Sequence, residues 1–197
     1  MKLALLCAFA ALAGCAGGQR ASALSPEHFH SATVTEDDPL EFTTVISTEA
    51  AHRGGKVRGT ITADPHLRAV IDRRSGTTRY EVRKAVRYWA PRRHFEAAQF
   101  LDAGELQRAP LALARHGADD CPDAEYGGLC IFAKDVAFHV GERVLRDLAA
   151  RESADDVWSF RIKEAAGRDL TGAIVPAEAA GLLAAVDRYR ASLPVAR

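Results

Sequence analysis

The chain has 197 residues with 26 Lys and Arg against 26 Asp and Glu, and 48% of it is apolar. That is enough chain and enough apolar surface for one core, and nothing in the composition demands a second. The even charge balance, without any basic run or stripe, argues against a nucleic-acid binder.

The chain opens on Lys2 and an apolar run from Leu3 to Ala13, followed by Gly14 and Cys15. An apolar segment of about a dozen residues behind one positive charge has the layout of an export signal, whereas a membrane span needs roughly 20 residues. Leu12-Ala13-Gly14-Cys15 resembles the lipobox of bacterial lipoproteins. The resemblance implies that residues 1–14 are a signal peptide removed before Cys15, and that Cys15 carries the lipid holding the protein to a bilayer. Ala16 stands where an aspartate would, by that family's sorting habit, retain the protein at the inner membrane, so the expected place is the outer membrane, facing the periplasm. The competing reading is an ordinary cleaved signal with an incidental cysteine. One acyl chain anchors only marginally, while the three implied here hold almost irreversibly. Loss of Lys2 with the signal leaves 25 basic against 26 acidic residues, so attachment would rest on lipid and not on charge.

Residues 15–39 show no period of helix or strand and read as a lipidated cysteine with a flexible tether, about 24 residues spanning roughly 25 to 30 Å. His28 and His30 lie within it without a third metal ligand beside them. A single β-rich domain is expected over 40–197.

Its first strand is read at Leu40–Ser47, closed by a loop at Glu49–Lys56, with Val57–Ala63 as the return of a hairpin. Leu67–Asp72 follows, then Ser75 and Gly76 as a turn. Tyr80, Val82, Val86 and Tyr88 alternate with Glu81, Arg83 and Arg87, one face in the core and the other in water. Phe95–Leu101 fits strand or helix. Asp102 and Gly104 signal a turn, and Leu106–Ala114 returns from it with Pro110 confined to an edge or a bulge.

Phe132, Val136, Phe138 and Val140 alternate, with Lys134 and His139 read on the other side. Beyond Gly141, the spacing of Val144, Leu145, Leu148 and Ala149 predicts a helix, with Glu142 early and Arg151 late as its dipole prefers. Trp158, Phe160 and Ile162 alternate into a last hairpin with Leu170–Val175. Pro176 then opens a helix with its stripe on Ala179, Leu182, Leu183 and Val186. The order predicts an α+β fold, mainly an antiparallel sheet or sandwich with two helices in the C-terminal third.

Tyr80-Glu81-Val82-Arg83, the aromatic and basic segment from Tyr88 to Phe95, the cysteines at 121 and 130, and Ile174-Val175-Pro176 through Gly181-Leu182-Leu183 together resemble a group of uncharacterised Gram-negative lipoproteins. The resemblance spans residues 79–197. It implies the compartment and the architecture and transfers no catalytic residue.

Cys121 and Cys130 flank eight turn-forming residues, and in an oxidising periplasm such a pair is expected to be a structural disulfide. Zinc held by both thiols with His116 or His139 competes, although the spacing is wider than paired zinc cysteines use. Asp119, Asp120, Asp123 and Glu125 lack the register of a calcium loop. No hydrolase elbow, zinc-protease, phosphate-loop or dinucleotide motif is present, so no catalytic residue, metal ligand or cofactor is assigned. Tyr88, Trp89, Arg92 and Arg93 form the candidate partner contact, since aromatic and arginine residues dominate binding hot spots and Pro91 stiffens the backbone. The function read from the sequence is a membrane-anchored envelope lipoprotein with a non-catalytic binding or assembly role toward an envelope protein. The alternative is a periplasmic enzyme whose site is assembled from scattered residues.

Overall fold

A computed structural model describes residues 21–52, 64–89, 92–116 and 131–193. In chain order these form α1 (Pro26–Ala32), β1 (Val34–Glu36), β2 (Thr43–Ser47), β3 (His66–Asp72), β4 (Thr78–Trp89), β5 (Phe95–Asp102), β6 (Glu105–His116), β7 (Ile131–Val140), α2 (Glu142–Ala149), β8 (Trp158–Glu164), β9 (Leu170–Ile174) and α3 (Pro176–Ser192). The strands make one antiparallel nine-stranded sheet in the order β1-β2-β3-β4-β7-β6-β5-β8-β9. The chain is α+β, with α2 and α3 in the C-terminal third as the order of signals predicted.

The sheet turns at β6. Residues Leu111–His116 pair with β7, while Glu105–Pro110 pair with β5, and a register shift falls between Leu111 and Leu113. Pro110 sits at the end of the β5-paired half, just before that irregularity, where its missing N–H costs no ladder bond to β7. The inner face carries four mutually packed aromatic rings, with centroids 5.8 Å apart for Phe100–Phe138, 5.1 Å for Phe100–Trp158 and 5.1 Å for Phe138–Phe160. Trp158 satisfies its indole N–H on the Leu101 carbonyl at 3.0 Å, so the ring enters the core without an orphaned donor. Opposite Phe160 in the ladder stands Gly172, and a Cβ there would overlap the Phe160 ring.

Three expectations are corrected. Residues 26–36 are not tether: Ser25 caps α1 by accepting from the His28 N–H at 3.2 Å, Pro26 opens it, and Phe29 is fully buried. Helix α1 seats on α3 where Gly181 leaves room, since a Cβ there would stand 2.6 Å from that of Phe29. Second, β2 begins at Thr43 and takes β3 as its next strand; Leu40 and Phe42 lie exposed in the turn before it, and Val57–Ala63 lies outside the described residues. Third, Lys134 faces inward. It shares the parity of Phe132 and Val136, is 5% exposed, and donates to the Arg93 carbonyl at 2.6 Å.

Candidate functional site

The expected contact segment at the β4–β5 corner is mostly committed to the fold. Tyr88 follows the inward parity of β4, stacks on Phe132 with centroids 5.5 Å apart and meets the edge of Phe95 at 6.4 Å. Its hydroxyl accepts from the Arg93 N–H at 3.1 Å. The Arg93 guanidinium turns back to Glu164, with Nη2 2.9 Å from Oε2, and also donates to the Arg168 carbonyl. The Arg93 hydrogen bond, supported by Arg168 and opposed by burial, holds Glu164 below the usual carboxylate range. Tyr88 and Arg93 are therefore brought together as a clamp across the corner. Arg92 stays on the surface, 5.5 Å from the Phe132 ring. Trp89 closes the β4 ladder opposite Ile131, and its side chain lies outside the described residues.

A second polar cluster lies where α3 begins. Glu178, in the first turn of α3, is 1% exposed and accepts from Thr48 Oγ1 at 2.6 Å and from the Leu67 N–H at 3.0 Å. His52 Nε2 stands 3.2 Å from the same oxygen as an ion pair, off the angle of a well-formed hydrogen bond, and its ring packs on Phe29 at 5.6 Å. Burial pulls the His52 pKa down, but the Glu178 carboxylate, with Asp64, outweighs it and leaves the net shift upward. His66 is driven down to about 4 by burial, with His52 and Arg83 adding to the fall and Glu178 and Asp135 opposing it. The carboxylate sits between hydroxyl and imidazole, so the histidine cannot take a proton from Thr48, and Thr48 itself is fully buried. This cluster ties β2, β3 and α3 together.

The surface that stands out is at the opposite end of the sheet. Ala103 (φ 50°) and Gly104 (φ 84°) form a two-residue turn between Asp102 and Glu105, the left-handed pair that matches the twist of a hairpin. Just behind it Leu101 and Leu106 face each other across the ladder, 56% and 68% exposed. Beside the tip opens a depression of ≈ 510 Å³, bounded by apolar Val144, Val157 and Trp158 and by charged Asp102, Asp147 and Arg151. Arg143 bridges its two sides, 2.6 Å from Asp102 on the hairpin and 3.5 Å from Asp147 on α2. The sequence carries a trace of this patch: Leu101 is out of phase with the inward Phe100, and Leu106 is its mirror across the turn.

Comparison with protein-family models, with curated proteins and with solved structures finds no match. The site therefore stands on its own geometry.

Cys15, Cys121, Cys130 and the acids at 119, 120, 123 and 125 lie outside the described residues, as does the side chain of His116. His139 is exposed on the outer face of β7, and His28 and His30 belong to α1. Among the described residues, no three His, Cys, Asp or Glu groups converge closely enough to hold a metal ion.

Proposed function

We propose that this chain is a lipid-anchored, non-catalytic binding protein of a bacterial envelope, held through acylated Cys15 and offering the β5–β6 hairpin to a protein partner. The observation that carries the binding role is the Leu101–Leu106 pair, exposed side by side across the ladder behind the hairpin turn, because adjoining exposed apolar side chains gain free energy only when a contact covers them. Photo-crosslinking from position 106 in cells is expected to capture one discrete protein, and Leu101→Asp with Leu106→Asp is expected to abolish capture while shifting the thermal midpoint little. Capture of nothing above background overturns the binding role.

The anchor reading rests on the lipobox-like residues 12–15. No helix among the described residues is long and apolar enough to cross a membrane. From Cys15 to Pro26 the chain reaches at most about 36 to 40 Å, so anchoring there would keep the domain close to the headgroups. Mass spectrometry of the membrane fraction is expected to find an acylated N-terminal Cys15, and Cys15→Ala to accumulate precursor; a soluble mature form beginning elsewhere overturns the anchor. Cys121 and Cys130 are proposed to be joined as a disulfide. Both thiols should resist alkylation until a reductant is added, and stoichiometric zinc in the purified protein would refute the bond.

A further inference from the structure

We propose that α1 and β1 form a strap, residues 25–36, that opens as a unit while the rest of the domain stays folded, and that its opening lengthens the reach of the domain from its anchor. The reach rests on the reading of Cys15 as the lipid attachment. The strap itself does not.

Apolar packing seats the strap at one point. Of residues 25–36 only Phe29 is buried, and β1 is three residues long with all of them exposed. The hydrogen bonds that cap α1 are its own: the His28 N–H donates to Ser25 at 3.2 Å, and the Thr33 N–H and hydroxyl both donate to the His30 carbonyl. Among the described residues no hydrogen bond or ion pair joins residues 25–33 to the rest of the chain. A seven-residue helix is too short to persist in water by itself, so α1 lasts only while Phe29 stays against Gly181 and the His52 ring. After it, β1 adds a ladder of three residue pairs to the edge of β2.

The root of the strap is held differently. Asp37 Oδ1 accepts from Thr44 Oγ1 at 2.7 Å and from the Tyr189 hydroxyl at 3.4 Å and is paired with Arg73, which fastens it to β2, to α3 and to the turn after β3. Separation therefore falls between residues 36 and 37. Every residue of the strap stands between Cys15 and this first clamped residue, so a load between the bilayer and anything gripping the sheet passes through α1. With the strap closed the chain from Cys15 to Pro26 spans at most about 36 to 40 Å, and with it open the 22 residues from Cys15 to Asp37 span at most about 73 to 79 Å.

Gly181 supplies the sharpest variant. A Cβ there would stand 2.6 Å from the Phe29 Cβ and 2.8 Å from both the His30 nitrogen and the Pro26 carbonyl oxygen, backbone atoms that move only if α1 leaves its seat. Alanine is also the better helix former, so α3 itself is not weakened. Hydrogen exchange on the mature full-length chain is expected to find the amides of residues 27–36 exchanging about tenfold or more faster than those of β4 and β7. Gly181→Ala is expected to speed the strap amides about tenfold further while β4 and β7 keep their rates, and Phe29→Ala to do the same with the sequence of α3 unchanged. Strap amides as slow as those of β4 and β7 in the parent, or unmoved by both variants, overturn the strap. So does an acceleration spread evenly over the sheet, which would make α1 part of one cooperative unit.

Reach is read separately, on the lipidated chain in liposomes, by energy transfer from a dye at Leu106→Cys to an acceptor on the lipid headgroups. Transfer is expected to fall in Gly181→Ala. Unchanged transfer with a released strap overturns the reach alone, whereas a chain that fails to float with the liposomes because Cys15 is unmodified overturns the anchor and leaves the strap standing.

Discussion

Glu178→Ala is expected to lower folding stability by about 3 to 5 kcal/mol, the range for removing one member of a buried charged network. One carboxylate oxygen serves three groups: the Thr48 hydroxyl just past β2, the Leu67 N–H at the start of β3, and His52 at 3.2 Å. Alanine takes from the Leu67 amide one of its two side-chain acceptors, leaving Thr48 Oγ1 at 2.9 Å, and leaves His52 without its counter-charge in a region of low exposure. Glutamine keeps a carbonyl oxygen in place for Thr48 and Leu67 and loses only the charge, so Glu178→Gln is expected to cost markedly less. Urea denaturation of the three proteins checks the order. Equal midpoints for alanine and glutamine would mean that the hydrogen bonds contribute nothing. Because His52 packs on Phe29, the alanine variant is also expected to loosen α1, read as earlier amide exchange over residues 26–32 than in the glutamine variant.

The sequence makes the sheet legible wherever one face is apolar and the other charged. In β4 the parity of Tyr80, Val82, Val86 and Tyr88, and in β8 that of Trp158, Phe160 and Ile162, survive intact because burial of one face enforces the period. The same parity places Tyr88 inside, which conflicts with its use in a surface contact, and the physical period prevails over the residue type. Lys134 shows the converse: a charged residue on an inward position looks like a solvent-facing one until the Arg93 carbonyl that receives its ammonium is known, and that pairing is 41 residues away in sequence. Helix α1 carried a local signal in Ser25-Pro26-Glu27, a cap, a first-turn proline and an early acid. With seven residues and one buried side chain it has no measurable period, and what holds it is Gly181 on another helix. The exposed pair was hardest to see, because Leu101 and Leu106 look like ordinary strand residues until the turn fixes which face they take.

Acidification from pH 6.5 toward 4 is expected to remove about 3 kcal/mol of stability through His66 alone. Its imidazole is held neutral in the folded protein, down to about 4, chiefly by burial between β3 and the cluster around Glu178, whereas in the unfolded chain it titrates near 6.5. Across that window the unfolded state binds a proton that the folded state refuses. The contribution is therefore fully present above pH 6.5 and is gone below about 4. His52 acts with the opposite sign: its pKa is raised, so its contribution is fully present below 6.5 and fades as the pH climbs through the folded value. With carboxylates losing their own paired states at the acid end, Glu164 and Glu142 among them, the two histidines set a stability maximum close to pH 6.5. His66→Leu separates the terms. The variant loses nothing by protonation at that position, so its stability difference between pH 7 and pH 4 is expected to be smaller than that of the parent by the same 3 kcal/mol or so. Chemical denaturation at four or five pH values measures both curves. Parallel curves, or an imidazole signal from His66 that titrates above pH 6 in the folded protein, would show that water reaches this ring and that burial does not hold it neutral.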